Sequence, residues 1–200
     1  MAMPGDALAV IPKPGTILPD DRRFPVGLVS RERGGKGLND ASEGVNGYVW
    51  TAVADEVTGK VILTRNGAQP STLGIFGPLR SISLAFDQNM QPALAYVNQA
   101  RDCKLYWFDA TVPGYVTLTM PAGARDPCLT LDDKRNELVT GSDILLFYTI
   151  GTNLYYRQQR ERFTVERLIY TGVQGRLFHV GMNTTWCIQV EFTDDYPDDF

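Results

Sequence analysis

A chain of 200 residues suits one domain, or one domain with an arm, and is long enough to bury a core. With 44% hydrophobic and 21% charged residues and a formal charge of −4, it is neither a disordered chain nor a basic one built to attract nucleic acid or anionic membrane. No apolar run reaches the length of a membrane span, and 19 glycines, 12 prolines and 10% aromatics predict many short strands joined by turns.

Residues 1–46 predict an extended arm. Pro4, Pro12, Pro14, Pro19 and Pro25 and the glycines Gly34, Gly35 and Gly37 break it up. The apolar patches Ala7–Ile11 and Val26–Val29 are too short to carry a helical or strand period. The start, MAMPGDALAVIPKPG, has no charged n-region and proline interrupts its apolar part, so it is not read as a secretory signal; synthesis and retention in a cytoplasm are expected. Arg22, Arg23, Arg31, Arg33 and Lys36 cluster here, but acids and bases balance six against six, which favours a solvated surface over a nucleic-acid contact.

Residues 47–192 predict a β-repeat domain. Tyr48–Val53, Lys60–Thr64 and Ser71–Phe76 read as strands, and Asn66-Gly67 is a hairpin signal. Next comes an internal repeat. Arg80-Ser-Ile-Ser-Leu-Ala-Phe-Asp87 returns 45 residues later as Arg125-Asp-Pro-Cys-Leu-Thr-Leu-Asp132. Three further strands correspond in each unit: 93–97 with 145–149, 104–108 with 153–157, and 115–119 with 165–169. Residues 48–76 resemble the last three strands of an earlier unit, and 176–192 the first two of a later one. The fold class expected is all-β: a partial β-propeller-like array of four-stranded antiparallel units, about 13 strands in all, with an extended N-terminal arm. Residues 193–200 complete an acidic, aromatic tail.

The segments around SLAFD and LYWFD resemble blades of sialidase-type and lectin-type propellers, though the S-x-D-x-G-x-T-W hallmark of sialidases is absent. A Pro/Gly arm, a compact β-repeat body and an acidic tail resemble, in character, bacteriophage virion proteins of the tail or head–tail connector. That resemblance implies a virion location and partners that are other copies and neighbouring structural subunits.

Little points to chemistry. His179, the single histidine, lies in the apolar strand Leu177–Val180 and reads as structural. No nucleophile elbow, P-loop or HExxH motif occurs. Asp87 and the Asp132-Asp133 pair fall at equivalent turns, where recurrence favours turn-capping over glycoside hydrolysis. Cys103, Cys128 and Cys187 match no zinc or redox spacing and are expected as buried thiols. No enzyme activity, metal or cofactor is expected. The candidate ligand or interface residues are Trp107 and Tyr156, on equivalent third strands, and Tyr196 and Phe200, in the tail. The reading is a virion assembly protein acting through protein–protein contacts. The alternative is an oligomeric propeller lectin for host-surface carbohydrate, with Trp107 and Tyr156 as sugar platforms.

Overall fold

A computed structural model describes residues 27–34, 48–65, 69–87, 89, 91–132, 143–182 and 187–193. Among them the chain is all-β, apart from one 3-10 turn at Gln159–Glu161. Its strands are β1 (Gly27–Gly34), β2 (Tyr48–Asp55), β3 (Lys60–Arg65), β4 (Ser71–Ile75), β5 (Leu79–Phe86), β6 (Pro92–Asn98), β7 (Cys103–Asp109) and β8 (Gly114–Thr119). They continue with β9 (Ala124–Asp132), β10 (Asp143–Ile150), β11 (Asn153–Gln158), β12 (Arg167–Thr171), β13 (Arg176–Met182) and β14 (Ile188–Thr193).

These strands form four antiparallel sheets, each a simple meander in chain order: β1–β4, β5–β8, β9–β12 and the two-stranded β13–β14. The expected four-stranded units are present, with two departures. The first unit has four strands rather than three, because Gly27–Gly34, inside the segment read as an arm, pairs along its whole length with β2. The last strand of the third unit is Arg167–Thr171, two residues later than expected. The 3-10 turn and the left-handed residues Arg162 and Phe163 occupy the intervening chain.

The sheets are joined through their first strands: β1 lies against β5, β5 against β9, and β9 against β13. Leu129 N donates to Ser83 Oγ at 2.9 Å, and Arg176 pairs with Asp126, so β5, β9 and β13 lie side by side. Each of β5, β9 and β13 also has an irregularity in its pairing with the next strand. No comparable contact returns from β13 to β1 among the described residues.

Burial follows from this order. Alternate side chains of a strand point to opposite faces. In β10, Ile144, Leu146 and Tyr148 enter one core with Leu129, Phe163 and the β5–β8 residues Ala93, Leu105 and Trp107. Leu145 and Phe147 enter another, with Leu177 and Val180 of β13. In β6, Ala93 and Ala95 face the first of these cores, while Leu94 and Tyr96 face a third, against Ala52, Ala54 and Val61. A middle sheet is therefore apolar on both faces, and β6 and β10 read as unbroken apolar runs rather than alternating ones. Small residues on one sheet meet large ones on the next: Ala52 and Ala54 lie under Leu84 and Phe86. The outermost strands β4 and β12 are largely exposed.

Turns and sheet junctions use polar groups. Asp55 Oδ1 accepts from Thr58 N at 2.6 Å and Thr58 Oγ1 at 2.8 Å, and Asp87 Oδ1 accepts from Asn89 N and Gln91 N at 2.8 Å each. Asp87 thus caps its turn as expected. Asp132 instead accepts from Arg160 Nη2 at 2.8 Å, and Asp133 lies outside the described residues. Gly59 adopts φ +68°, and a Cβ there would sit 1.7 Å from Gly77 O, so only glycine fits where the β2–β3 turn meets the β4–β5 link. Asp109, 1% exposed, ends β7 and accepts from Thr111 N and Oγ1 and from Arg162 Nη2 (2.6 Å) and Nε (3.0 Å) of the following unit.

Two predictions follow from these contacts. Trp107 is 5% exposed and meets Phe163 edge-on at 5.0 Å. Trp107→Ala should lower unfolding free energy by about 3–5 kcal/mol in denaturant titration. Burial of Asp109 opposes its ionisation, but the Thr111 hydrogen bonds and Arg162 outweigh it and hold its pKa below the ordinary value of 3.8. A depressed carboxyl contributes stability above the unfolded pKa and loses it as pH falls through the folded one. Thermal midpoints should therefore drop below about pH 4, and Asp109→Asn should flatten that acid limb while lowering stability at neutral pH.

Candidate functional site

The most distinctive surface is the unfinished end of the array. Among the described residues, sheet β13–β14 has two strands where its three predecessors have four. The inner strand is firmly seated. Leu177 and Val180 are buried against Leu145, Phe147, Leu154 and Val173, with Val190 of β14 packed at the margin. Arg176 clamps the start of β13 through Nη2 (2.6 Å) and Nε (3.0 Å) to Asp126 Oδ1. Asp126 is buried with φ 53°, and its Oδ2 has no hydrogen-bond partner, so the clamp holds a carboxylate in a place that is costly to leave uncompensated.

The outer half of the same end is uncovered. β14 offers its second edge to no strand among the described residues. Beside it runs an open groove of about 520 Å³, lined by Leu154, Ile169, Tyr170, Val173, Val190 and Phe192. Tyr170 is 54% exposed, Phe192 36%, and Phe178 of β13 56%. An apolar groove beside an unpaired strand edge offers both backbone hydrogen bonds and side-chain pockets to an extended chain.

The expected site residues fall elsewhere. Trp107 is core, with no free ring face for a sugar. Tyr156 is half-buried, stacked on Phe147 at 5.7 Å with the Arg167 guanidinium over its ring at 5.7 Å. The two are equivalent in the repeat, but they enter different cores and form no common site. Tyr196 and Phe200 lie outside the described residues. His179 is exposed on β13, paired with Glu191 in the strand register. The buried-thiol reading holds for Cys103, which is buried, and only partly for Cys128, which is half-buried; Cys187, next to β14, is exposed. Burial pushes the Cys103 and Cys128 thiols up to about 12. No group of three or more metal-ligating side chains occurs among the described residues.

No family model matches the chain, and no curated protein is recognisably similar to it. Among the described residues no helix is long and apolar enough to cross a membrane. The groove residues Ile169, Tyr170 and Phe192 were missed by sequence reasoning. The one signal for them was that the repeat stops after two strands of its last unit.

The thiols give a direct check on this end. At pH 8, iodoacetamide should modify Cys187 in the native protein at least tenfold faster than Cys103 or Cys128 by peptide mass spectrometry, and all three should react in denaturant.

Proposed function

We propose that the protein is a structural assembly subunit, working through protein–protein contacts and carrying no chemistry of its own. The observation that carries this reading is the unfinished sheet β13–β14, whose open edge adjoins an apolar groove. Monomers seldom leave an unpaired edge beside exposed aromatic rings unless a partner uses it.

The array is read as part of a β-propeller. Meander sheets joined through their first strands, with the fourth strands β4 and β12 largely exposed, support that arrangement. Three full sheets and one partial sheet leave two free ends. Closed propellers need four to eight blades, so copies or neighbours are expected to complete the structure. The setting proposed is a bacteriophage virion, in the tail or connector, on the resemblance of arm, β-repeat body and acidic tail to such proteins. Of the carboxylates that sequence reasoning weighed as catalytic, Asp87 caps a turn and Asp132 pairs with Arg160. The lectin alternative is weakened by burial of Trp107.

Light scattering on the purified chain should give masses at multiples of 22.2 kDa, and antibodies to it should label purified virions of the phage whose genome encodes it. A monomer at all concentrations together with unlabelled virions would sink the assembly reading. Strong, selective binding on a glycan array would favour the lectin.

A further inference from the structure

We propose that the open edge of β14 is completed by residues Ala7–Ile11 of a second copy of the chain, added as a third strand. This rests on the assembly reading above and names the occupant of its site.

The vacancy has the shape of a strand. In the second sheet, Tyr106 of the third strand β7 packs on Phe76 of the preceding unit at 5.0 Å. In the third sheet, Tyr155 of β11 is likewise partly buried against the preceding core. At β14 the matching position is empty of any described strand, and Ile169, Tyr170 and Phe192 line the groove that a third strand would cover.

The occupant follows from the chain ahead of β1. Of residues 1–26, the longest apolar run is Ala7-Leu8-Ala9-Val10-Ile11, between Pro4 and Pro12. Proline cannot donate to a ladder, so the flanking prolines limit the strand to this run. Its five residues are one or two fewer than the third strands β3, β7 and β11, which have six, seven and six. Alternation puts Leu8 and Val10 on one face, toward the groove, and Ala7, Ala9 and Ile11 on the other. The run carries no charge that would be buried unpaired. The tail beyond β14 fits poorly, because Asp194, Asp195, Asp198 and Asp199 would bring four carboxylates to an apolar groove.

The donor is a second copy because of where β1 lies. β1 and β13 are at opposite ends of the array of first strands. Continuing that array head to tail, with β13 beside the next copy's β1, brings the donor segment to the groove. Residues 12–26 then reach across up to about 50 Å, far more than the two strand spacings, about 10 Å, that separate an inner strand from a third one. A head-to-tail contact of this kind closes into a ring or runs on as a filament.

The test compares the full chain, a variant lacking residues 1–20, and the point variant Val10→Asp, by light scattering and by hydrogen exchange of the β14 amides. The full chain should assemble. Both variants should be folded monomers with β14 amides exchanging at least tenfold faster, and a synthetic peptide of residues 5–13 should restore their protection. If the truncated chain does not fold, Val10→Asp decides. Variants that assemble like the full chain would overturn this inference while leaving the assembly reading intact. A monomeric full chain with protected β14 amides that both variants lose would overturn the second-copy assignment, since the segment would then act within its own chain. A monomeric full chain with β14 exchange unchanged in the variants would overturn both readings.

Discussion

The structure depends on two-sided burial of its middle strands. A sheet of this chain is not a wall with one wet side. β6 and β10 send successive side chains into different cores, so the second and third sheets need a neighbour on each face. Leu146 and Tyr148 cannot be buried without the β5–β8 sheet, nor Leu145 and Phe147 without β13. Stability is thus shared between neighbours in sequence order, as in other repeat proteins, and no single core defines the domain. The alanines of β2 and β6 set how closely the sheets approach, because a larger residue at Ala52 or Ala93 would meet the bulky side chains opposite.

Charged groups then fix the order in which sheets stack. Asp109 reaches forward from the second sheet to Arg162, and Asp126 from the third to Arg176. Both acids are nearly inaccessible and both arginines are about half exposed, which lets a guanidinium snorkel out while its partner stays seated. Within the third sheet, Arg157 links the Tyr148 hydroxyl, the Phe163 carbonyl and Glu166, tying the chain after the 3-10 turn to the middle of the sheet. Such pairs add little net energy but penalise misplacement, since a sheet docked in the wrong register would strand a buried carboxylate.

Much of this was legible in the sequence, for reasons that can be named. The frame from Arg80 to Asp87 and from Arg125 to Asp132 marks a first strand and the turn or pairing that ends it, and both run as strands to within a residue of those limits. β1 was hidden because its place depends on main-chain pairing with β2 across thirteen intervening residues, and backbone hydrogen bonds leave no pattern in SRER. Trp107 was misjudged because alternation tells which residues share a face and not whether both faces are covered. With Phe163 arriving from the next unit, the ring that faced out of its own sheet became core. The two-residue displacement of β12 came from left-handed Arg162 and Phe163, non-glycine positions that no turn signal announces.

The same two-sided rule accounts for the end of the array. A sheet buried on both faces, as the second and third are, satisfies its neighbour on one side and requires one on the other. Among the described residues the last sheet also has two strands rather than four, which leaves Tyr170 and Phe192 beside an edge that no described strand pairs. Closing the deficit within one chain would take further strands that the described residues do not contain. On the assembly proposed above, closing it between chains would begin with one apolar strand and repeat the first-strand contact already used three times. The proposed assembly would reuse an interface the fold has already solved.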